Sequence, residues 1–354
     1  MDQFLIKQDF EFTGHETIPQ QDEYQFVKIG STYPRDLEPG DIPESVTHLY
    51  LDRNQMLKPG IIPNSVVHLE LGHEFNQSLK QGDIPNSVTR LGFGQRFNQK
   101  LYPGVIPNSI IMLRLGWNFN QKLKPGDIPN SVTHLVFGCF FNRILKPGDI
   151  PNSVISLSFG SRFNQLLVPR VIPNSVTNLK FGKNFNRPLV LGVIPNSVTN
   201  LKFGNTFDQI LVPGVIPNSV NVLEFGDEFG VHQDAPLKYG IIPNSVTHLT
   251  CGYYFDKILK PGMIPDSITH LVFGNFFNQP LEKGSIPNSV THIKFGYCFN
   301  QKLKPGDIPD SVTHLSFGYN FAQSLSPEII PGSVVFIRFN NVLMSLGIFQ
   351  NLFL

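Results

Sequence analysis

Hydrophobic residues recur along this chain with a long and strict period. Ile-Pro dipeptides open at Ile42, Ile62, Ile84, Ile106, Ile128, Ile150, Ile172, Ile194, Ile216, Ile242, Ile264, Ile286, Ile308 and Ile330. Eleven of the thirteen intervals are 22 residues, and the other two are 20 and 26. Counted from that isoleucine as position 1, the consensus is I-P-N-S-V-T-H-L-x-F-G-x-x-F-N-Q-x-L-x-P-G-x. Self-similarity of this kind marks a solenoid or array. Proline at position 2, glycine at 11 and proline-glycine at 20 and 21 leave at most eight uninterrupted residues. A helix needs about 10 to 12, so each repeat is predicted to be strand and turn. Within V-T-H-L-x-F, positions 8 and 10 fall on one face and positions 7 and 9 on the other, the alternation of a half-buried strand. In the coil opening at Ile128, the side chains of Ile128, Val132, Leu135, Phe137, Phe141 and Leu145 are expected to share one interior.

One coil buries too little apolar surface to offset the ordering of its own backbone, so coils must stack, about 4.8 Å apart. Stacking turns each consensus residue into a ladder. Phe75, Phe97, Phe119, Phe141, Phe163, Phe185, Phe207, Phe229, Phe255, Phe277, Phe299 and Phe321 are predicted to form one spine. The asparagines of positions 3 and 15 are predicted to bond turn backbone. The expected architecture is mainly β: a curved, leucine-rich-repeat-like solenoid of about fourteen coils, one parallel strand each, with helix only near the ends. Residues 1–41 read as an N-terminal cap, in which Ile18-Pro19 followed by Tyr24, Phe26, Val27 and Ile29 makes a degenerate coil. Residues 42–339 form the solenoid and 340–354 a C-terminal cap, where NVLMSLGIFQNLFL could lie as a short helix or strand. The four extra residues around Gly230-Val231-His232-Gln233 should form a loop that leaves the stack intact.

The spacing V-x-x-L-x-F-x-x-x-F resembles the strand segment of a leucine-rich repeat. The run FNQKLKPGDIPNSVTHLVFG, from Phe119 to Gly138, is similar to the FNIP repeat, a family named for Phe-Asn-Ile-Pro. The resemblance extends over residues 42 to about 340, in fourteen copies. It implies a leucine-rich-repeat-like solenoid used for protein interaction, of a kind found in amoebae and their giant viruses. Many members carry an N-terminal F-box that recruits a ubiquitin ligase; residues 1–41 show no leucine-rich three-helix pattern.

Composition narrows the function classes. With 28 basic against 27 acidic residues, 41% hydrophobic and 16% charged, the 354-residue chain is neither a polyelectrolyte nor a low-hydrophobicity disordered chain. Three cysteines, Cys139, Cys251 and Cys298, make no disulfide framework, and MDQFLIKQDF lacks the features of a secretory signal. A cytoplasmic setting is expected, the host cytoplasm if the source is viral. The longest apolar stretch, VLMSLGIF, is shorter than the ~18 residues of a membrane span, so no membrane partner is expected.

Candidate chemistry dissolves into the repeat. Serine at position 4 and histidine at position 7 recur together in many coils, near acids such as Asp83, Asp127 and Asp149. A catalytic triad is one constellation, not a copied one, so the chain is not expected to be an enzyme. Gly92-x-Gly94 has no phosphate-loop context, and the sequon at Asn76 falls on a consensus asparagine. Position 7 gives four consecutive histidines, His248, His270, His292 and His314. Position 9 of those coils offers no carboxylate, and Lys294 would repel a cation, so neither a metal site nor any cofactor is expected.

What remains is recognition. Position 9 varies widely among otherwise copied residues, and positions 12 and 13 are rich in aromatics: Trp117, Phe140, Tyr253, Tyr254, Phe276, Tyr297 and Tyr319. The histidine row, Lys294 and the C-terminal aromatics together form the main candidate face for a protein partner. Ubiquitin-ligase components are one candidate partner, through the family resemblance, and a carbohydrate or nucleotide ligand is the alternative from a different class. Only Arg162, Lys180, Lys183, Arg187 and Lys202 cluster, which argues against nucleic acid. A second candidate patch comes from three adjacent repeats that put valine in place of the usual lysine at position 19 and aspartate at position 22. Val168, Val171, Val190, Val193, Val212 and Val215 are read as an exposed apolar strip.

Overall fold

The structure is a computed structural model, described here for residues 10–12, 25–231, 237–340 and 342–345. The coils share a common path, which the coil at Ile128 illustrates. Val132 N–H donates to the Pro129 carbonyl at 3.2 Å, closing a first turn. The strand His134–Val136 follows. Phe141 N–H then donates to Gly138 O at 3.1 Å, and Asp149 N–H to Lys146 O at 3.1 Å. The last of these is a proline-glycine turn, with Gly148 at φ 92° in the left-handed region that glycine reaches without penalty. Strands are shorter than the V-T-H-L-x-F segment predicts, because position 5 is spent closing the first turn and pairing begins at position 7.

The chain divides into two compact units, residues 1–176 and 177–354. In the first, β1 (Phe10–Phe12), β2 (Phe26–Ile29), β3 (His48–Leu51), β4 (His68–Leu71), β5 (Arg90–Phe93), β6 (Met112–Arg114), β7 (His134–Val136) and β8 (Ser156–Ser158) pair in sequence order, all parallel. In the second, β9 (Asn178–Lys180), β10 (Asn200–Lys202), β11 (Val222–Glu224), β12 (His248–Thr250), β13 (His270–Val272), β14 (His292–Lys294), β15 (His314–Phe317) and β16 (Phe336–Phe339) do the same. The last strand, β17 (Val342–Ser345), pairs antiparallel with β16. Residues 232–236 of the predicted loop lie outside the described residues. The ladder crosses that point without a register change, Leu223 facing Leu249. The fold is therefore a leucine-rich-repeat-like parallel β-solenoid of about fourteen turns, with no helix among the described residues. The helix expected near the ends is not found there; the part of the C-terminal cap that is described is strand.

The interior is the one the pattern predicts. Ile128, Val132, Leu135, Phe137, Phe141 and Leu145 are all buried. The phenylalanines of position 14 stack along the first unit at 6.0 to 6.2 Å between centroids, from Phe75 to Phe163. In the second unit Phe185, Phe207 and Phe229 stack at 6.1 and 6.5 Å, and Phe255, Phe277, Phe299 and Phe321 at 6.0 to 6.3 Å. Glycine at position 11 is required by closeness rather than by φ: a Cβ on Gly138 would meet Gly116 O at 1.7 Å.

Polar ladders tie successive coils. Asn120 Oδ1 accepts from Asn142 N–H, and Asn98 Oδ1 accepts from Asn120 N–H and from the Gln121 amide, so position 15 bonds turn backbone as expected. Position 3 does not: Asn64, Asn108, Asn130 and Asn152 are exposed and make no side-chain hydrogen bond among the described residues. The corresponding work falls to serine at position 4, as in Ser131 Oγ donating to Ile110 O at 2.7 Å. That bond commits the hydroxyl that a triad would need. Toward the N-terminus, Phe26, Val27 and Ile29 occupy the register of a coil, while Ile18, Pro19 and Tyr24 lie outside the described residues. The buried Gln55 amide fixes this segment by accepting from Leu37 N–H at 2.9 Å and donating to Leu37 O at 3.1 Å.

Candidate functional site

Strand alternation sends position 8 inward and leaves positions 7 and 9 at the surface, so each unit carries two outward rows along its strands. In the second unit His248, His270, His292 and His314 stack face to face, with centroids 4.2, 4.1 and 4.1 Å apart and planes within 13°. Phe336 ends the column 4.7 Å from His314. The threonine at position 6 fixes each ring. Thr291 Oγ1 lies 2.8 Å from His292 Nδ1 and 3.2 Å from Thr269 O, and the same pair of contacts recurs at Thr247, Thr269 and Thr313. A carbonyl can only accept, so the single hydroxyl proton goes there and the imidazole donates from Nδ1–H. Each neutral ring thus keeps Nε2 as its acceptor.

Burial, and after it the neighbouring imidazoles, push His270 and His292 below the usual histidine range. Parallel rings do not converge their Nε2 atoms on a point, and no group of three or more His, Cys, Asp or Glu among the described residues could hold a metal ion. A groove runs between the two rows, lined by His270, His292, His314 and Phe336 on one side and Val272, Lys294, Ser316 and Arg338 on the other.

The aromatic residues predicted for this face are all exposed: Tyr253, Tyr254, Phe276, Tyr297 and Tyr319. They form two groups. Tyr253, Tyr254 and Phe276 lie 4.8 to 5.5 Å apart in pairs, and Tyr297 stacks on Tyr319 at 5.3 Å with planes 3° apart. Position 9 separates them from the histidines. In the first unit one cleft joins positions 9 and 12, lined by Tyr50, Glu70, Gln95, Arg114 and Trp117.

The six valines divide. Val168, Val190 and Val212 are 52, 56 and 51% exposed, whereas Val171, Val193 and Val215 are fully buried. An aspartate at position 22 suggests solvent contact from sequence, but Asp83, Asp127 and Asp149 are buried too. Each carboxylate turns into its own tight turn to accept the position-19 N–H, at 2.6 to 2.8 Å. Valine fills the same inward site without the hydrogen bond. The exposed edge gains instead Leu166 in the first unit, and Leu191 and Ile210 in the second.

Sequence reasoning missed one device on the first unit's face. Glu70 accepts from Arg114 at 2.7 Å, across two coils, and sits 3.4 Å from His68 Nε2. Burial pushes the Glu70 carboxyl up, but His68 and Arg114 outweigh it and hold the group below its usual value. Gly92 opens the way between them, since a Cβ there would lie 2.0 Å from Glu70 Oε2. The signal was a glycine at position 9 flanked by a glutamate and an arginine in adjacent coils. Of the basic residues singled out in the sequence, Lys202 pairs with Glu224, and the Arg162 guanidinium lies 3.8 Å over the Phe140 ring. Cys251 is buried, and that burial pushes its thiol up to about 12, so it is inert.

A ladder of parallel strands, copied turns and a filled aromatic interior defines a repeat protein of the leucine-rich type. The FNIP-repeat model matches residues 33–74, 75–118, 119–139, 141–184, 185–228, 233–276, 255–298 and 299–341, and the chain belongs to that family. Among solved structures it is similar to CroV588, described as a novel circular leucine-rich-repeat protein, at 36% identity and TM-score 0.81. That match covers 90% of this chain and 50% of CroV588, so the chain spans half that protein's length. YopM from Yersinia enterocolitica WA-314 matches at 14% identity and TM-score 0.36, over 89% of this chain and 71% of that one. A leucine-rich repeat protein from Eubacterium ventriosum matches at 12% identity and TM-score 0.22, over 89% and 74%. No curated protein matches the chain in sequence. No helix among the described residues is long and apolar enough to cross a membrane.

Proposed function

We propose that the chain is a non-enzymatic scaffold that recognises a protein partner through the exposed sheet face of its C-terminal coils. The carrying observation is the pair of exposed rows there: four stacked imidazoles ending on Phe336, and a band of tyrosines and phenylalanine on the other side of position 9. Tyrosine offers a large contact area and a polar tip at small entropic cost, which suits interface anchors. A leucine-rich-type fold supports protein partners in general, and free cysteines support a reducing, cytoplasmic setting. Ubiquitin-ligase components are a narrower form of the same reading.

The test replaces Tyr253, Tyr297 and Tyr319 together by Ser and measures folding and partner capture side by side. Capture lost by a folded triple variant supports the reading; capture retained places the site elsewhere. A carbohydrate ligand is the second reading, favoured by the first unit's cleft, where exposed Trp117 lies beside Gln95 and the Glu70–Arg114 pair. Trp117 is the chain's single tryptophan, so a sugar on its ring changes the whole tryptophan emission, and an unchanged spectrum across a sugar panel sinks this reading.

A further inference from the structure

Cations on position 9 differ in how they are neutralised. Arg114 has Glu70 at 2.7 Å, and Lys202 has Glu224. Lys294 on β14 and Arg338 on β16 are exposed and make no ion pair among the described residues. Between them on β15 stands Ser316, in register with both. The position-9 row of the second unit has one carboxylate among the described residues, Glu224, and Lys202 already engages it. Facing this row across the groove are His270, His292, His314 and Phe336. The groove floor is the strand backbone at Leu271, Ile293 and Leu315, whose side chains are buried on the inner side.

We propose that this groove binds an extended acidic segment of a protein partner, with one carboxylate on Lys294 and a second on Arg338. The proposal rests on the partner-binding reading above and gives it a chemistry. Two strand spacings separate the cations, about 10 Å, and residues three apart on a polyproline II chain, one full turn at about 3.1 Å per residue, share a face and span nearly the same distance. The segment therefore carries acids at i and i+3 and runs across the strands, with the Ser316 hydroxyl as a donor between them.

The histidine column makes the groove pH-sensitive. Neutral rings present Nε2 as an acceptor, which a carboxylate does not seek; protonated rings become cationic donors. The other charged groups in the two rows of this unit are Lys180, Lys294, Arg338 and the Lys202–Glu224 pair, and β17 carries no titratable residue. Binding and protonation are linked, so affinity rises as pH falls below about 6.5 and the bound acids raise the histidine pKa values in return.

The probe is an acetylated and amidated serine-glycine peptide bearing two glutamates three residues apart, titrated into the full chain while the imidazole Cε1 proton signals are followed. Expected is binding about tenfold tighter at pH 5.5 than at pH 7.5, with binding abolished in the glutamine counterpart and in the variant Lys294→Gln with Arg338→Gln. Both substitutions are at exposed sites, and circular dichroism checks the fold. His270→Asn with His292→Asn and His314→Asn, a residue the repeat already uses at Asn178 and Asn200, should keep binding at pH 7.5 and lose the gain at low pH. Equal binding of the glutamate and glutamine peptides, unchanged binding by the Lys294/Arg338 variant, or tighter binding of an oligothymidylate of equal charge overturns the proposal. If the tyrosine triple variant loses partner capture while the acidic peptide fails to bind, only this chemistry falls and the broader reading stands.

Discussion

Arg170 occupies the place that glycine holds in nearly every other coil, at φ 71° in the left-handed region. A non-glycine residue there costs about 1 to 2 kcal/mol, offset in part by glycine's larger unfolded-state entropy. Arg170→Gly is therefore expected to stabilise the chain by up to about 1 kcal/mol, read as a shift in denaturant midpoint; a destabilised variant would show that the arginine side chain holds something the turn does not. Single residues were also where the sequence was hardest to read. Position 22 is aspartate in some coils and valine in others, with isoleucine, methionine or serine in the rest, and the aspartates suggest a solvent site. The structure buries both aspartate and valine there, because a carboxylate that bonds its own turn can be taken out of water where a lysine cannot. Nothing in composition distinguishes that aspartate from an exposed one, since the deciding partner is a backbone N–H. For the same reason the asparagines of positions 3 and 15 look alike in sequence and behave differently in the fold.

At the scale of the coil, legibility was greater. Positions 8, 10 and 14 are fixed by alternation and by the proline and glycine breakers, and the parallel register follows from copying them. Phe141→Ala is expected to cost about 3 to 5 kcal/mol, since the ring packs on Phe119, Phe137 and Phe163 and the stack cannot collapse into the gap. Asn120→Ala leaves Asn142 N–H without its partner and should cost about 1 to 3 kcal/mol, measured by the same unfolding curves. A cost near zero would mean that water replaces the amide and that the ladder is ornamental. The strand's shorter length was not legible, because whether position 5 joins the strand or closes the turn depends on Pro129 and its equivalents offering a carbonyl at the right place.

Across the whole molecule, the candidate face was legible as rows but not as contacts: the histidine, tyrosine and position-9 rows follow from the period, whereas the threonine clamps and the Gly92 opening needed coordinates. The histidines give the molecule a pH dependence of definite sign. His48, His270 and His292 have pKa values lowered mainly by burial, so the unfolded chain takes up their protons first. Their contribution is fully present above the unfolded value of about 6.5 and is lost as pH falls below it toward the folded values. Asp83 and Asp127, raised by burial, act in the opposite sense nearer the carboxylate range. Thermal midpoints should therefore drop between pH 7 and 5, and a flat profile would mean the column is solvated. The claim that copied residues build the fold while the exposed rows of the C-terminal coils recognise a partner is tested most directly by hydroxyl-radical footprinting of the chain with and without its captured partner. Protection of Tyr253, Tyr297, Tyr319, His270 and His292, with Val190, Leu191, Ile210 and Val212 unchanged, is the expected result; protection confined to that valine-leucine edge, with the tyrosines and histidines still oxidised, would contradict it.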